Sequence, residues 1–292
     1  MEFIDNLKQT YKRGDMVIKL IFVNIGVFLI VSVLSVVFKL FNLTQFDYTS
    51  WFSVPSHLQS LASHFWTPIT YMFYHEQFFH ILFNLLVLFW FGKIFLTFYS
   101  EKQLLSLYFI GGLLGAAAYV LAFNFFPYYA LIAHRSILMG ASGSIIAILV
   151  ASAVRVPNME MHLLLLGRIK LKWIAIATVV ISFFGLTGEN GGGEVAHLGG
   201  ALAGYLFVFF ERKGKDITSP INRIIDFFVN LFRTRPKQKT KVYHTQKMSD
   251  AEFNQRKAEN EKIIDRILDK IKTSGYESLT TEEKRRLFDQ KK

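Results

Sequence analysis

The sequence predicts an all-α membrane protein, a bundle of six transmembrane helices with a cytoplasmic helical tail, on three observations. Six apolar stretches run over about 17–38, 78–99, 104–126, 137–154, 171–187 and 195–211, and a bilayer crossing needs about 20 such residues, with a range of roughly 17–25. Charge is divided unevenly: residues 1–211 carry 12 Lys and Arg against 10 Asp and Glu, and residues 212–292 carry 21 against 12, so the tail holds +9 of the net +11. The apolar runs are continuous instead of alternating, which argues against the strands of a membrane barrel. With 52% hydrophobic side chains and 30 phenylalanines the chain is too apolar for a single soluble globule. It has no cysteine, which excludes a disulfide scaffold and a Cys-ligated metal site.

These features divide the chain into a cytoplasmic N-terminus (1–15), a membrane domain (16–211), an amphipathic and basic linker (212–247) and a cytoplasmic helical module (248–292). The first apolar run starts too late, and has too many successors, to be a cleaved signal peptide. Lys8, Lys12, Arg13 and Lys19 surround the start of that run, Lys93 and Lys102 flank the second connection, and Arg155, Arg168, Lys170 and Lys172 flank the fourth. The other side has only Lys39 and Arg135. The excess of Lys and Arg marks the cytoplasmic side, so both termini are expected there. The first connection, about 40–76, is rich in aromatics such as Trp51, Phe65 and Trp66, rings that favour the membrane interface. It is expected to lie partly in the outer leaflet.

The tail opens with Pro220, and Ile221, Ile224, Ile225, Phe228 and Phe232 follow at helical spacing beside Arg223, Arg233 and Arg235. That pattern predicts an amphipathic helix at the membrane surface, or else an extension of the sixth span. A basic linker over about 234–247 follows. Ser249 with Glu252 forms a capping box for a helix to about Thr273, Gly275 ends it, and Thr280 with Glu283 caps a final short helix.

Polar and ionisable residues are costly inside a span, so each poses a functional question. His80 and Asn84 lie near the start of the second span, Ser142 near the start of the fourth, and His197 near the start of the sixth. With the N-terminus inside, even-numbered spans run inward from the outer face. All four residues then sit three to seven positions into their helices, about 5–10 Å deep. A serine hydroxyl needs a base, and the bases of this layer are His80 and His197. The oxyanion of an acyl-transfer reaction needs donors, which an Asn amide, an imidazole N–H and a backbone N–H supply. Small residues around Ser142, in Gly140-Ala141-Ser142-Gly143, leave room for a scissile backbone. Gly200 and Gly204 give the sixth span a small-residue face on which the fourth can pack. No Asp or Glu is expected within the inner halves of these spans, so the constellation reads as a dyad.

Each feature has a plainer reading alone: Gly-x-Ser-Gly as a packing motif, His197 as a helix–helix hydrogen bond, Asn84 as interhelical glue. None of these explains a shared depth. His75-Glu76-x-x-x-His80 is one residue too long for a zinc-binding His-Glu-x-x-His, so no metal is expected. Ser136, Ser144, Ser152 and Thr178 are expected to be ordinary back-bonding hydroxyls.

These motifs together resemble the rhomboid family of intramembrane serine proteases. The likeness spans about residues 64–211 and rests on Trp66 to His75 leading into His80-x-x-x-Asn84, on Phe91-Gly92, on Gly140-Ala141-Ser142-Gly143 and on Ala196-His197-x-x-Gly200-x-x-x-Gly204. It implies a six-helix rhomboid-like bundle with a water-filled cavity open to the outer face. It implies Ser142 as nucleophile and His197 as general base, with His80, Asn84 and the Ser142 backbone N–H holding the oxyanion. It implies transmembrane-protein substrates cut near the outer face, with the lipid bilayer as surroundings, no cofactor and no nucleic-acid partner, in the inner membrane of a bacterium. The tail from Ile263 to Phe288 resembles a short C-terminal module of some bacterial members. The chain departs from the family pattern in having Ile146 where a tyrosine is common, Leu96 where an acidic residue is frequent, and no Trp-Arg pair in the first connection. Two other classes compete with a protease: an inactive family member that holds transmembrane clients, which would ordinarily lack the serine or the histidine, and a proton-coupled transporter, which would carry mid-membrane acids and internal repeats.

Overall fold

The computed structural model describes residues 2–43, 47–133, 136–163, 167–232 and 250–289, and the chain divides into two compact units, 1–233 and 234–292. The larger opens with α1 (Glu2–Arg13) and α2 (Met16–Leu40). The connection after α2 is folded into α3 (Tyr48–Phe52), β1 (Val54–Pro55), α4 (Leu58–Ser63), α5 (Thr67–Thr70) and a 3-10 turn (Tyr71–Phe73). Then come α6 (Phe78–Leu96), α7 (Glu101–Phe125), α8 (Pro127–Ala130), β2 (Ile137–Leu138) and α9 (Ser142–Arg155). A hairpin of β3 (Glu160–Leu163) and β4 (Gly167–Lys170) leads to α10 (Leu171–Phe184), α11 (Gly191–Arg212) and α12 (Ser219–Phe232).

Among the described residues four helices, α2, α6, α7 and α11, are long and apolar enough to cross a membrane, and α9 and α10 with its 3-10 extension are apolar but shorter. At 1.5 Å per residue α9 is about 21 Å long. The fourth stretch was expected to be helical from residue 137, and the structure corrects this. Residues 137 and 138 are a strand paired antiparallel with β1, Val54 opposite Leu138 and Pro55 opposite Ile137. The described chain is mostly helical as expected, and the short strands β3 and β4 form a second ladder. At β1–β2, backbone that leaves the helix finds its hydrogen bonds in a neighbouring segment; the β3–β4 hairpin is largely exposed and polar.

The core is built on glycine. A Cβ at Gly200 would collide with the Gly143 carbonyl and one at Gly204 with that of Ala147, so α11 lies against α9 backbone to backbone. On α7, a Cβ at Gly111 would come 2.5 Å from the Ala147 Cβ and one at Gly115 2.9 Å from the Ala196 carbonyl oxygen. Three helices thus meet at van der Waals distance along stripes of small residues, the packing by which helices associate where lipid competes for every apolar side chain. α2 docks outside this core on α6, where a Cβ at Gly92 would lie 2.6 Å from Val17 Cγ2. Asp15 begins α2, accepting from the Ile18 N–H at 3.2 Å, and its carboxylate pairs with Lys93 of α6.

The expected back-bonding holds for Ser136, Ser152 and Thr178, which donate to the carbonyls of Ile132, Ile148 and Ile174 at 2.8–2.9 Å. It fails for Ser144, whose buried hydroxyl has no partner among the described residues. The carbonyl four residues back belongs to Gly140, which precedes the helix and has φ +108°, so no helical acceptor is aligned there.

α12 forms as its spacing predicts and leaves Ile224, Phe227, Phe228 and Leu231 exposed. Ser106 of α7 donates to Asn222 at 2.7 Å and Lys102 pairs with Asp226 at 2.9 Å, which fixes the polar side of α12 to the start of α7. Arg135, Arg233, Arg235, the linker 234–247 and Ser249 lie outside the described residues.

The smaller unit consists of α13 (Asp250–Ser274) and α14 (Thr281–Asp289) around buried Ile267 and Leu279. Gly275, at φ +76°, closes α13 as expected, donating to the Ile271 carbonyl at 2.9 Å. Thr280 and Glu283 form the expected capping box through bonds of 2.7 and 3.3 Å. The Thr280 N–H and the Lys270 ammonium hold the Glu283 carboxyl below the usual range.

Candidate active site

The four residues singled out by depth line one cavity of about 540 Å³, together with Met139 and Asn190. His80 and Asn84 are the third and seventh residues of α6 and share a face at i, i+4 spacing. Ser142 is the first residue of α9, shallower in its helix than the reading from residue 137 placed it. Its N–H and that of Gly143 precede the first intrahelical bond, from Ile145 N–H to the Ala141 carbonyl at 3.0 Å, so both belong to the orphan donors at the positive end of the helix dipole.

The turn before Ser142 is tied down at each step. The β1–β2 pairing holds residues 137–138, and the Gly140 N–H donates to the Tyr71 carbonyl at 2.9 Å. Tyr71 itself is fully buried and its hydroxyl donates to the Gly112 carbonyl. Gly140 needs to be glycine twice over: its φ is +108°, and a Cβ would come 2.7 Å from Cε1 of His80. His197 is the seventh residue of α11, three before Gly200. The backbone contact of Gly200 with Gly143 therefore brings the ring to the start of α9, where Ser142 lies. No hydrogen bond joins Ser142 Oγ to His197 among the described residues.

Two further side chains enter the site that reading the sequence did not place there. His75, only 1% exposed, has Nε2 at 3.3 Å from the Ala141 N–H and 2.9 Å from Asn84 Nδ2. The backbone N–H can only donate, so Nε2 is an acceptor and the Asn84 amide must donate to it as well. This one nitrogen locks the orientation of Asn84 to the turn that carries Ser142. The link from His75 to a residue 66 positions away has no signature in the sequence.

The second is Glu194. Its Oε2 is 3.0 Å from His197 Nδ1, and Ser182 Oγ of α10 is 3.2 Å from the same nitrogen. The span boundary near 195 is corrected here: α11 starts at Gly191, so Glu194 is inside the first turn of the helix, one turn before His197. Ile146, at the position where the resemblance leads one to look for an aromatic ring, is buried within α9.

Residues 62–214 match the family model described as Rhomboid domain, and residues 248–289 match one described as a family of unknown function, DUF6576. No curated protein matches the chain.

Proposed function

Because the chain belongs to the rhomboid family, we propose that it is an active intramembrane serine endopeptidase that cleaves transmembrane segments of other membrane proteins near the outer face. It is an integral membrane protein with four helices among the described residues long enough to cross; α9 and α10 complete six crossings in our reading. The Lys and Arg distribution supports a cytoplasmic location for both termini and the tail, and the family resemblance suggests the cytoplasmic membrane of a bacterium as the site.

The observation that carries the reading is the single cavity lined by Ser142, His197, His80 and Asn84. In the proposed reaction, His197 takes the proton of Ser142 Oγ as the oxygen adds to the scissile carbonyl carbon. The carbonyl oxygen gains the negative charge and accepts hydrogen bonds from the Asn84 amide, the His80 ring and the Ser142 N–H, aided by the α9 dipole. The C–N bond then breaks as His197 returns the proton to the leaving amine. A water molecule, deprotonated by the same ring, releases the acyl group and restores Ser142. The substrate backbone must unwind from its helix to reach the hydroxyl.

Purified protein should react with a serine-directed fluorophosphonate and cleave members of a panel of single-pass transmembrane substrates, while Ser142→Ala does neither. Equal labelling of wild type and Ser142→Ala, with no cleavage by either, would replace this reading with that of a client-binding family member.

A further inference from the structure

Resting on the protease reading above, we infer that Glu194 is the positioning residue of the catalytic histidine, so that the working unit is Ser142–His197–Glu194 and not a dyad. A carboxylate carries no proton to donate near neutrality, so the 3.0 Å contact with His197 Nδ1 is an N–H donating to Oε2. The hydrogen bond at one ring nitrogen decides the state of the other. With the proton on Nδ1, Nε2 is left bare, which is the state a general base for Ser142 requires. The carboxylate also compensates the imidazolium formed when the serine proton arrives.

The surroundings hold Glu194 in this position. Both side chains are mostly buried, 18% exposed for Glu194 and 19% for His197, in a site where an unpaired charge is costly. From the facing segment, a Cβ at Gly185 would lie 2.8 Å from Glu194 Cγ and 3.1 Å from its Cδ. Glycine there vacates the space the acid occupies. The groups facing His197 are Glu194 on its own helix, Ser182 on α10 at 3.2 Å from Nδ1, and, across the cavity, His80 and Ser142. Glu76, Asn84 and Asn190 also line the cavity, and among the described residues Glu194 is the carboxylate within hydrogen-bond distance of the ring. An acid in the first turn also favours its helix dipole, but that role would affect stability and not turnover.

The test uses Glu194→Gln, which keeps shape and volume while its amide can donate to Nδ1 and favour the wrong tautomer. A triad carboxylate replaced in this way costs about 10⁴ in kcat where it is deeply buried; with partial exposure and Ser182 as a second partner, the expected loss is about 10² in kcat and in fluorophosphonate labelling rate. KM should change less than about twofold, and Glu194→Asp should recover most of the lost turnover. Gly185→Ala, which displaces the acid without altering it, should lose about tenfold. In parallel, ¹⁵N-histidine NMR of the full chain, with His197 assigned by His197→Gln, should find the proton on Nδ1 in wild type and moved toward Nε2 in Glu194→Gln. Wild-type labelling and turnover by Glu194→Gln would overturn the inference and leave the protease reading intact. Absence of labelling in wild type would overturn the protease reading, while the tautomer measurement still decides the Glu194–His197 arrangement.

Discussion

Two helices of equal length, α2 and α7 at 25 residues each, show how this molecule sorts its residues. The more apolar of the two is α2, yet 17% of its apolar window is buried, against 56% for α7. α2 turns Leu29, Ile30, Val33 and Val36 outward and buries a polar residue, Asn24, which bonds the Leu20 carbonyl at 2.9 Å and the Tyr108 hydroxyl at 3.4 Å. α7 buries Gly111, Gly112, Gly115, Ser106 and two tyrosines. In water the greasier helix would form the core. In lipid an apolar side chain gains nothing by moving inward, so small and polar residues take the interior, where close approach and hydrogen bonds are available.

If the glycine-lined interior carries the chemistry and the greasy exterior only meets lipid, substitutions should grade accordingly. The largest effect is expected at the centre of the interior. Ser142→Ala and His197→Ala should each remove roughly 10⁶ in kcat, with the double variant no worse than either single because the groups act as a unit. Both should keep wild-type thermal stability. Substantial cleavage by either, measured on a single-pass substrate, would break the assignment.

Gly200→Leu should come next, through stability and not chemistry. Its side chain has no space against the Gly143 carbonyl, so α9 and α11 must separate, at a cost of about 3 kcal/mol or more. A thermal melt in detergent reads this directly; an unshifted melting temperature would mean that the helix contact is not tight. Asn84→Ala removes one oxyanion donor and should cost about 10²–10³ in kcat, or roughly 2.7–4 kcal/mol, with KM little changed. A rise in KM at constant kcat would instead make Asn84 part of a substrate channel. At the far end of the scale, Leu29→Ala on the outer face of α2 should shift stability by less than about 0.5 kcal/mol and leave turnover unaltered. A large loss there would show that α2 faces protein in the working assembly.

What was legible in the sequence follows a common rule. The apolar runs fixed most of the long helices, and the Gly200-x-x-x-Gly204 face, the Gly275 stop and the Thr280–Glu283 box all formed where their spacing placed them. These are local patterns, written in residues three or four apart, and the backbone geometry of a helix turns such spacing into contact. The grouping of His80, Asn84, Ser142 and His197 around one cavity was legible for a related reason: polar residues in an apolar run are conspicuous.

The tertiary structure decided what depends on partners far along the chain. The pairing of β1 with β2 joins residues 82 and 84 positions apart, and it stops the fourth stretch from being helical before Ser142. The link from His75 to Asn84 and Ala141 exists only once α6, α9 and the folded first connection are assembled. Glu194 is the instructive case, since it lies only three residues from His197 and still went unread. Gly191-Gly192-Gly193 is poor helix sequence, which argues for a start near residue 195. In the fold, a Cβ at Gly192 would lie 2.8 Å from Tyr119 and one at Gly191 3.3 Å from Tyr129. Only glycine lets that turn pack so closely, and the packing makes a helix of residues whose intrinsic preference is against it. Propensity is worth about 1 kcal/mol per glycine and is overridden by burial; the added turn is what brings an acid onto the face of the histidine.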